Sequence, residues 1–246
     1  MHQITLLWAT PRTTSTAFEW MMRMRGDMAC FHEPFGEAWY HGDDALWPRK
    51  TPEDRHVDGL TRQVVLDRIL AAAEQRPVFS KDMPHYIVDM ADEAFLGLFT
   101  HSFLVRDPAK SIPSIKNRAP QWLLKEYGFE DHRALFDRIA DRDGKAPPVI
   151  DSDDLLEDPH GIVDAWCRAV GIPFLPEALS WKPGARPEVS WYDSGSWHDV
   201  LSNSDGLKPQ PRTYGSVENA NDDVKEAYAL ALPHYQHLYQ HRLRAA

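Results

Sequence analysis

Cysteine is scarce in this chain of 246 residues: only Cys30 and Cys167 occur. Two isolated thiols provide neither a disulfide framework nor the paired spacing of a structural zinc site. Excess positive charge is also missing. The formal net charge is −10, which argues against a broad surface for nucleic acid or anionic membrane. It leaves room for a few Arg and Lys around one phosphate ligand. No long apolar run is present. The N-terminal stretch Ile4–Ala9 breaks at Pro11-Arg12, too early for a signal peptide or a membrane span, so a cytoplasmic location is expected. Glycine is absent before Gly26. That excludes a G-x-x-x-x-G-K-[ST] phosphate loop in the first strand–helix unit. The 12 histidines show no clear ligand cluster; His234, His237 and His241 share a helical spacing, but a metal site there is not expected.

What is present is ordinary for a globular core: 43% hydrophobic and 26% charged residues. Short apolar runs alternate with helical patterns. Strands are expected at Ile4 to Ala9, Ala29 to His32, Val78 to Ser80, Ser102 to Val105 and Val149-Ile150. Helices are expected from Ala17 to near Gly26, Leu60 to Gln75, Tyr86 to Leu98, from near Ala109, His132 to Asp141, Pro159 to Val170 and Asp222 to Leu243. Residues 36–58 and 173–214 read as irregular. The pattern predicts one α/β domain over residues 1–246, with a mostly parallel central sheet flanked by helices. In such sheets ligands bind beyond the carboxyl ends of the strands.

Chemistry-bearing residues gather at those predicted ends. Pro11-Arg12-Thr13-Thr14-Ser15-Thr16 lies between a strand and a helix, where free N–H groups favour an anion and Arg12 adds a fixed positive fork. Arg106 ends another strand, and Ser114 follows eight positions later in the next helix. His32-Glu33 and Lys81-Asp82 follow two further strands.

The two phosphate segments together resemble the paired motifs of the PAPS-dependent sulfotransferases, where PAPS is 3′-phosphoadenosine-5′-phosphosulfate. The resemblance assigns Pro11, Arg12, Thr13, Thr14, Ser15 and Thr16 to the 5′-phosphosulfate, and Arg106 and Ser114 to the 3′-phosphate. It extends through Val149–Pro159, Val170-Gly171-Ile172-Pro173, Trp181-Lys182-Pro183-Gly184 and Phe31–Phe35, the last two looking like a bacterial branch. It implies a P-loop NTPase-like sulfotransferase fold and transfer of a sulfuryl group from PAPS to a hydroxyl or amine of a small-molecule acceptor, with PAP released. A kinase-like phosphotransferase and a catalytically silent nucleotide-binding protein are the alternatives on the same fold.

Sulfuryl transfer needs a base for the acceptor proton and cations for the leaving phosphate. Glu33 is the first candidate base, with a loop carboxylate paired to Arg12 or Arg106 as its plain structural reading. His32 is a second candidate, or an orienting neighbour of Glu33. Lys81-Asp82-Met83-Pro84-His85 resembles a family Lys-Thr-His-Leu-Pro segment. Lys81 carries over as the leaving-group contact. Met83 occupies the histidine position, so His85, two residues on, is a weaker candidate, expected at a surface or cap. Asp82 is a second carboxylate or an N-cap. Lys208 and Arg212, in a polar Gly/Pro-rich stretch, are candidates to close over the 3′-phosphate. Trp39, Trp47, Trp191 and Trp197 fall in predicted loops that could wall the acceptor.

Overall fold

A computed structural model describes residues 1–184, 189, 201, 203–209 and 217–245. Five parallel strands form one sheet in the order β2-β3-β1-β4-β5: β1 Ile4–Ala9, β2 Ala29–His32, β3 Val78–Asp82, β4 Thr100–Val105 and β5 Val149–Asp151. The helices are α1 Ser15–Met24, α2 Pro34–His41, α3 Arg62–Ala73, α4 Glu93–Leu96, α5 Pro108–Arg118, α6 Phe129–Asp143, α7 Ser152–Glu157, α8 Pro159–Val170 and α9 Asp222–Tyr239.

Central strand β1 explains the architecture. All six of its residues are buried, as expected of a strand covered on both faces. Its side chains alternate: Leu6 and Trp8 join a core with Phe35, Ile69, Tyr86 and Phe136, while Leu7 and Ala9 join another with Phe18, Met22, Ile162 and Trp166. Helices α2, α3 and α6 therefore cover one face, and α1 and α8 the other. A third cluster, with Ile112, Ile115, Phe129, Val224 and Ala227, seats α9 against α5 and α6.

Three expectations are corrected. Residues 36–58 are not all irregular, because α2 occupies Pro34–His41. Pro34 at its first position has no N–H to lose, and Asp82 on β3 accepts the Phe35 N–H at 3.0 Å. Tyr86 to Leu98 is not one helix. A single 3₁₀ turn covers Pro84–Tyr86, and α4 restarts at Glu93, capped by Asp92, whose side chain accepts the Phe95 N–H. The strand near Val78 runs two residues further than expected and carries Lys81 and Asp82 as its last two positions.

The chain extends the sheet from β1 to one side through β3 and β2, then crosses to the other through β4 and β5. The loop after β1 thus sits where that direction reverses, the favoured ligand position in an open α/β sheet. Among the described residues, no helix is long and apolar enough to cross a membrane.

Candidate active site

The segment between β1 and α1 is held by donors that take its carbonyls. Arg106 Nη1 donates to Arg12 O at 2.8 Å, and Ser152 Oγ donates to Thr13 O at 2.5 Å. Thr13 Oγ1 donates back to Thr10 O at 2.7 Å. Arg12 and Thr14 have φ values of 66° and 72°, in the left-handed region that costs a non-glycine residue about 1–2 kcal/mol. Thr14 stands at the N-cap of α1 and makes no side-chain capping bond. With Thr10 O, Arg12 O and Thr13 O occupied and no side chain capping α1, the first N–H groups of the helix are left without an intrahelical partner, an arrangement that favours an anion.

The second phosphate element meets the first. Arg12 Nε donates to Ser114 Oγ at 3.0 Å, and Arg106 grips the same Arg12 from β4. Asp107 caps α5 by accepting the Ala109 N–H at 2.8 Å, which fixes the start of the helix that carries Ser114. Arg12, Arg106 and Ser114 therefore converge.

Glu33 and Lys81 also come together. β2 and β3 pair in register His32↔Lys81, and Glu33 N donates to Lys81 O at 2.8 Å. Lys81, fully buried, forms a short ion pair with the Glu33 carboxylate, and its Nζ lies 3.5 Å from Thr16 Oγ1. The plain sequence reading pairs Glu33 with Arg12 or Arg106; the ion pair it makes here is with Lys81. Glu33 is left-handed as well, with φ 42°. Among the described residues, the three non-glycine residues of positive φ are Arg12, Thr14 and Glu33, so the local strain is confined to this site. Asp82 steadies Glu33 indirectly. Its carboxylate accepts the N–H of Phe35 and of Met83, each at 3.0 Å. Burial pushes the Asp82 carboxyl well above its usual range, and the nearby charge of Glu33 adds to the rise.

His32 does not turn toward Glu33. Its Nδ1 donates at 2.6 Å to Glu19 on α1, whose other oxygen takes Arg23 at 2.7 Å. Burial alone would raise the Glu19 carboxyl, but the charge and hydrogen bond of His32, with Lys81 and Arg23, hold it below its ordinary value. Sequence reasoning missed Glu19. The available signal was one carboxylate among Phe18, Trp20, Met21 and Met22 on the buried face of α1.

The expectation of a surface or capping His85 is corrected too. His85 is buried, and neither ring nitrogen has a hydrogen-bond partner among the described residues. It packs edge-on against Trp39 at 5.3 Å and Tyr86 at 4.3 Å. Gly128 leaves room for it: a Cβ there would stand 2.6 Å from His85 Nδ1. Burial lowers the imidazole pKa to about 4, so it is neutral at pH 7, and Glu33 is the charge acting on it most strongly.

Trp39 lies on α2 rather than in a loop, buried with Tyr86, while Trp47 packs on Tyr40 at 5.4 Å. Lys208 Nζ reaches Asp205 at 2.8 Å. Arg212, Trp191 and Trp197 lie outside the described residues. His237 pairs with Asp137 at 2.6 Å, and His234, His237 and His241 form no ligand group among the described residues.

The sulfotransferase-domain family profile matches residues 2–242. The chain belongs to that family. Two curated relatives from Arabidopsis thaliana are similar to this sulfotransferase domain: branched-chain-amino-acid aminotransferase-like protein 2, 26% identical over 212 residues, and protein 1, 24% identical over 210. Each match covers 84% of this chain and 37% of the relative, so the chain spans little more than a third of their length. Among solved structures, it is similar to the sulfotransferase domain of the Synechococcus PCC 7002 olefin synthase (16% identity, TM-score 0.45, 93% of this chain and 94% of that one). It is also similar to the sulfotransferase domain from the curacin biosynthetic pathway (13% identity, TM-score 0.48, 94% and 97%).

Proposed function

We propose that this sulfotransferase domain moves a sulfuryl group from PAPS to a hydroxyl, or an amine, of a small-molecule acceptor and releases PAP. The observation that carries the reading is the Arg12–Ser114 hydrogen bond with Arg106 bound to the same loop. It supplies a second cationic site beside the first phosphate loop, which a 3′-phosphorylated nucleotide needs and ATP does not. The residues fit such a donor: Arg12 and the uncapped start of α1 at Thr14 suit the 5′ side, and Arg106 and Ser114, tied to them through Arg12, suit the 3′ side.

In this reading the acceptor oxygen forms a bond to sulfur as the bond from sulfur to the 5′-phosphate oxygen breaks. Glu33 takes the acceptor proton. Lys81, next to Thr16 at the head of α1, meets the charge developing on the leaving oxygen.

Thermal shift with PAP, ATP and ADP side by side tests the donor. PAP at about 100 times its Kd raises stability by about 2.7 kcal/mol; ATP and ADP shift it less. An acceptor screen with PAPS then finds sulfated product. The reading is lost if PAP gives no shift and no acceptor is sulfated.

A further inference from the structure

Glu19 is a fully buried carboxylate on a helix face that otherwise packs Phe18, Met21 and Met22. Burying a carboxylate costs several kcal/mol, and a triad of buried charges is commonly replaceable by apolar side chains without loss of stability. Stability alone therefore does not account for Glu19, and its connections do. One oxygen takes Arg23 at 2.7 Å and the other takes His32 at 2.6 Å. Arg23 also donates to Cys30 O at 3.2 Å. Both links run from α1 to β2. The head of α1 is the phosphate loop, and the residue after β2 is Glu33. Among the described residues, β2 is a four-residue edge strand hydrogen-bonded to β3 alone, so the sheet holds it on one side. Its spacing from α1 falls to side chains.

We propose that Glu19 is a positioning residue: by gripping His32 and Arg23 together, it fixes the distance between the donor loop at the head of α1 and Glu33 at the end of β2. This rests on the donor and base roles proposed above. In-line transfer is sensitive to that distance, since a displacement of about 1 Å at a reacting centre costs on the order of 100-fold in rate. A glutamine at position 19 keeps the shape of the side chain. It cannot accept from both His32 and Arg23, because its amide nitrogen is a donor.

The full chain and the variants Glu19→Gln, His32→Asn and the double variant would be compared for PAP affinity by calorimetry and for release of PAP from PAPS, with water or an added alcohol as acceptor. Glu19→Gln is expected to keep PAP affinity within about threefold while PAP release falls about tenfold or more. The double variant should fall no further than the worse single one, because both cut the same link. Unchanged turnover, or PAP affinity falling as far as turnover, overturns the proposal. Should Glu19→Gln fail to fold, His32→Asn is read in the same way. If the wild type neither binds PAP nor consumes PAPS, the donor reading has failed. The ¹³C carboxyl signal of Glu33 then decides: a titration curve displaced in Glu19→Gln sustains the tie, and curves that superpose overturn it.

Discussion

Arg12 donates its Nε to Ser114 Oγ at 3.0 Å across 102 positions of sequence, joining the loop after β1 to the second turn of α5. Arg106 completes the cluster through its bond to Arg12 O. Arg106→Ala removes a charged donor beside the proposed 3′-phosphate, and hydrogen bonds to charged groups are worth about 1.5–3 kcal/mol. PAP affinity should drop roughly 10- to 100-fold by calorimetry, with a much smaller change in the urea midpoint. Equal losses in binding and stability would mark Arg106 as a structural brace for the loop.

The Lys81–Glu33 pair leads to a second prediction. Lys81 is fully buried, so removing its partner strands a charge, which costs about 3–5 kcal/mol. Glu33→Gln should therefore lower stability by a few kcal/mol. Adding Lys81→Met should restore much of it, because both charges are then gone. Turnover should fall at least about 100-fold in either single variant and stay low in the double. Chemical denaturation and PAP release measure the two effects separately. Stability that is additive across the pair would refute the coupling.

How far the sequence could be read depended on which forces were local. β1, β2 and α8 were legible because short apolar runs and the Pro159 and Gly171 boundaries are written in neighbouring residues. α2 was hidden because its capping acceptor, Asp82, comes from another strand. The segment from Tyr86 to Leu98 has helical composition, but the Asp92 cap restarts the chain inside it. At the site, residue types at strand ends were legible and their partners were not. His85 reads as a surface residue until Trp39 and Gly128, both remote, close over it. Glu19 meets His32 only once α1 lies against β2.

Three buried histidines set an acid limit on stability. Burial lowers His85, His101 and His132 each to about 4, from an ordinary value of 6.5. The unfolded chain then binds more protons than the folded one between those values, so stability rises with pH across the window and is lost as pH falls from about 6.5 toward 4. Each group contributes on the order of 3 kcal/mol to that loss. Asp82, Asp131 and Asp151, raised by burial, work in the opposite direction, and the buried carboxyls Glu19 and Glu126, held below their usual value, work in the same direction as the histidines. Urea midpoints should fall steeply from pH 7 to 5. His132→Gln keeps a donor for Trp8 O and should flatten the slope by roughly one group's share. A flat profile would mean these rings are solvated.

Arg49 straps the segment between α2 and α3 to the turn at Leu124–Tyr127. Its Nη2 and Nε reach the two oxygens of Glu126 at 2.7 and 2.9 Å, and its guanidinium stacks on Trp47 at 5.0 Å. The Glu126 side chain is almost fully buried, and it also accepts from Trp47 Nε1 and Leu123 N. Burial pushes its carboxyl up, but Arg49, with the Leu123 N–H and Trp47, outweighs that and leaves it below the usual value. Arg49→Met removes the compensation and leaves a buried carboxylate with neutral donors only. The segment over residues 43–60 should then open more often, and limited proteolysis there should quicken about tenfold for each 1.4 kcal/mol of lost local stability. Arg49→Lys should rescue it poorly, because an ammonium cannot supply the two-pronged geometry. Trp47 rides on that segment and packs on Tyr40 of α2, which feels the charge of the proposed base Glu33, so the acceptor KM should rise in Arg49→Met while PAP affinity holds. An unchanged KM together with faster proteolysis would place the strap outside the acceptor's path.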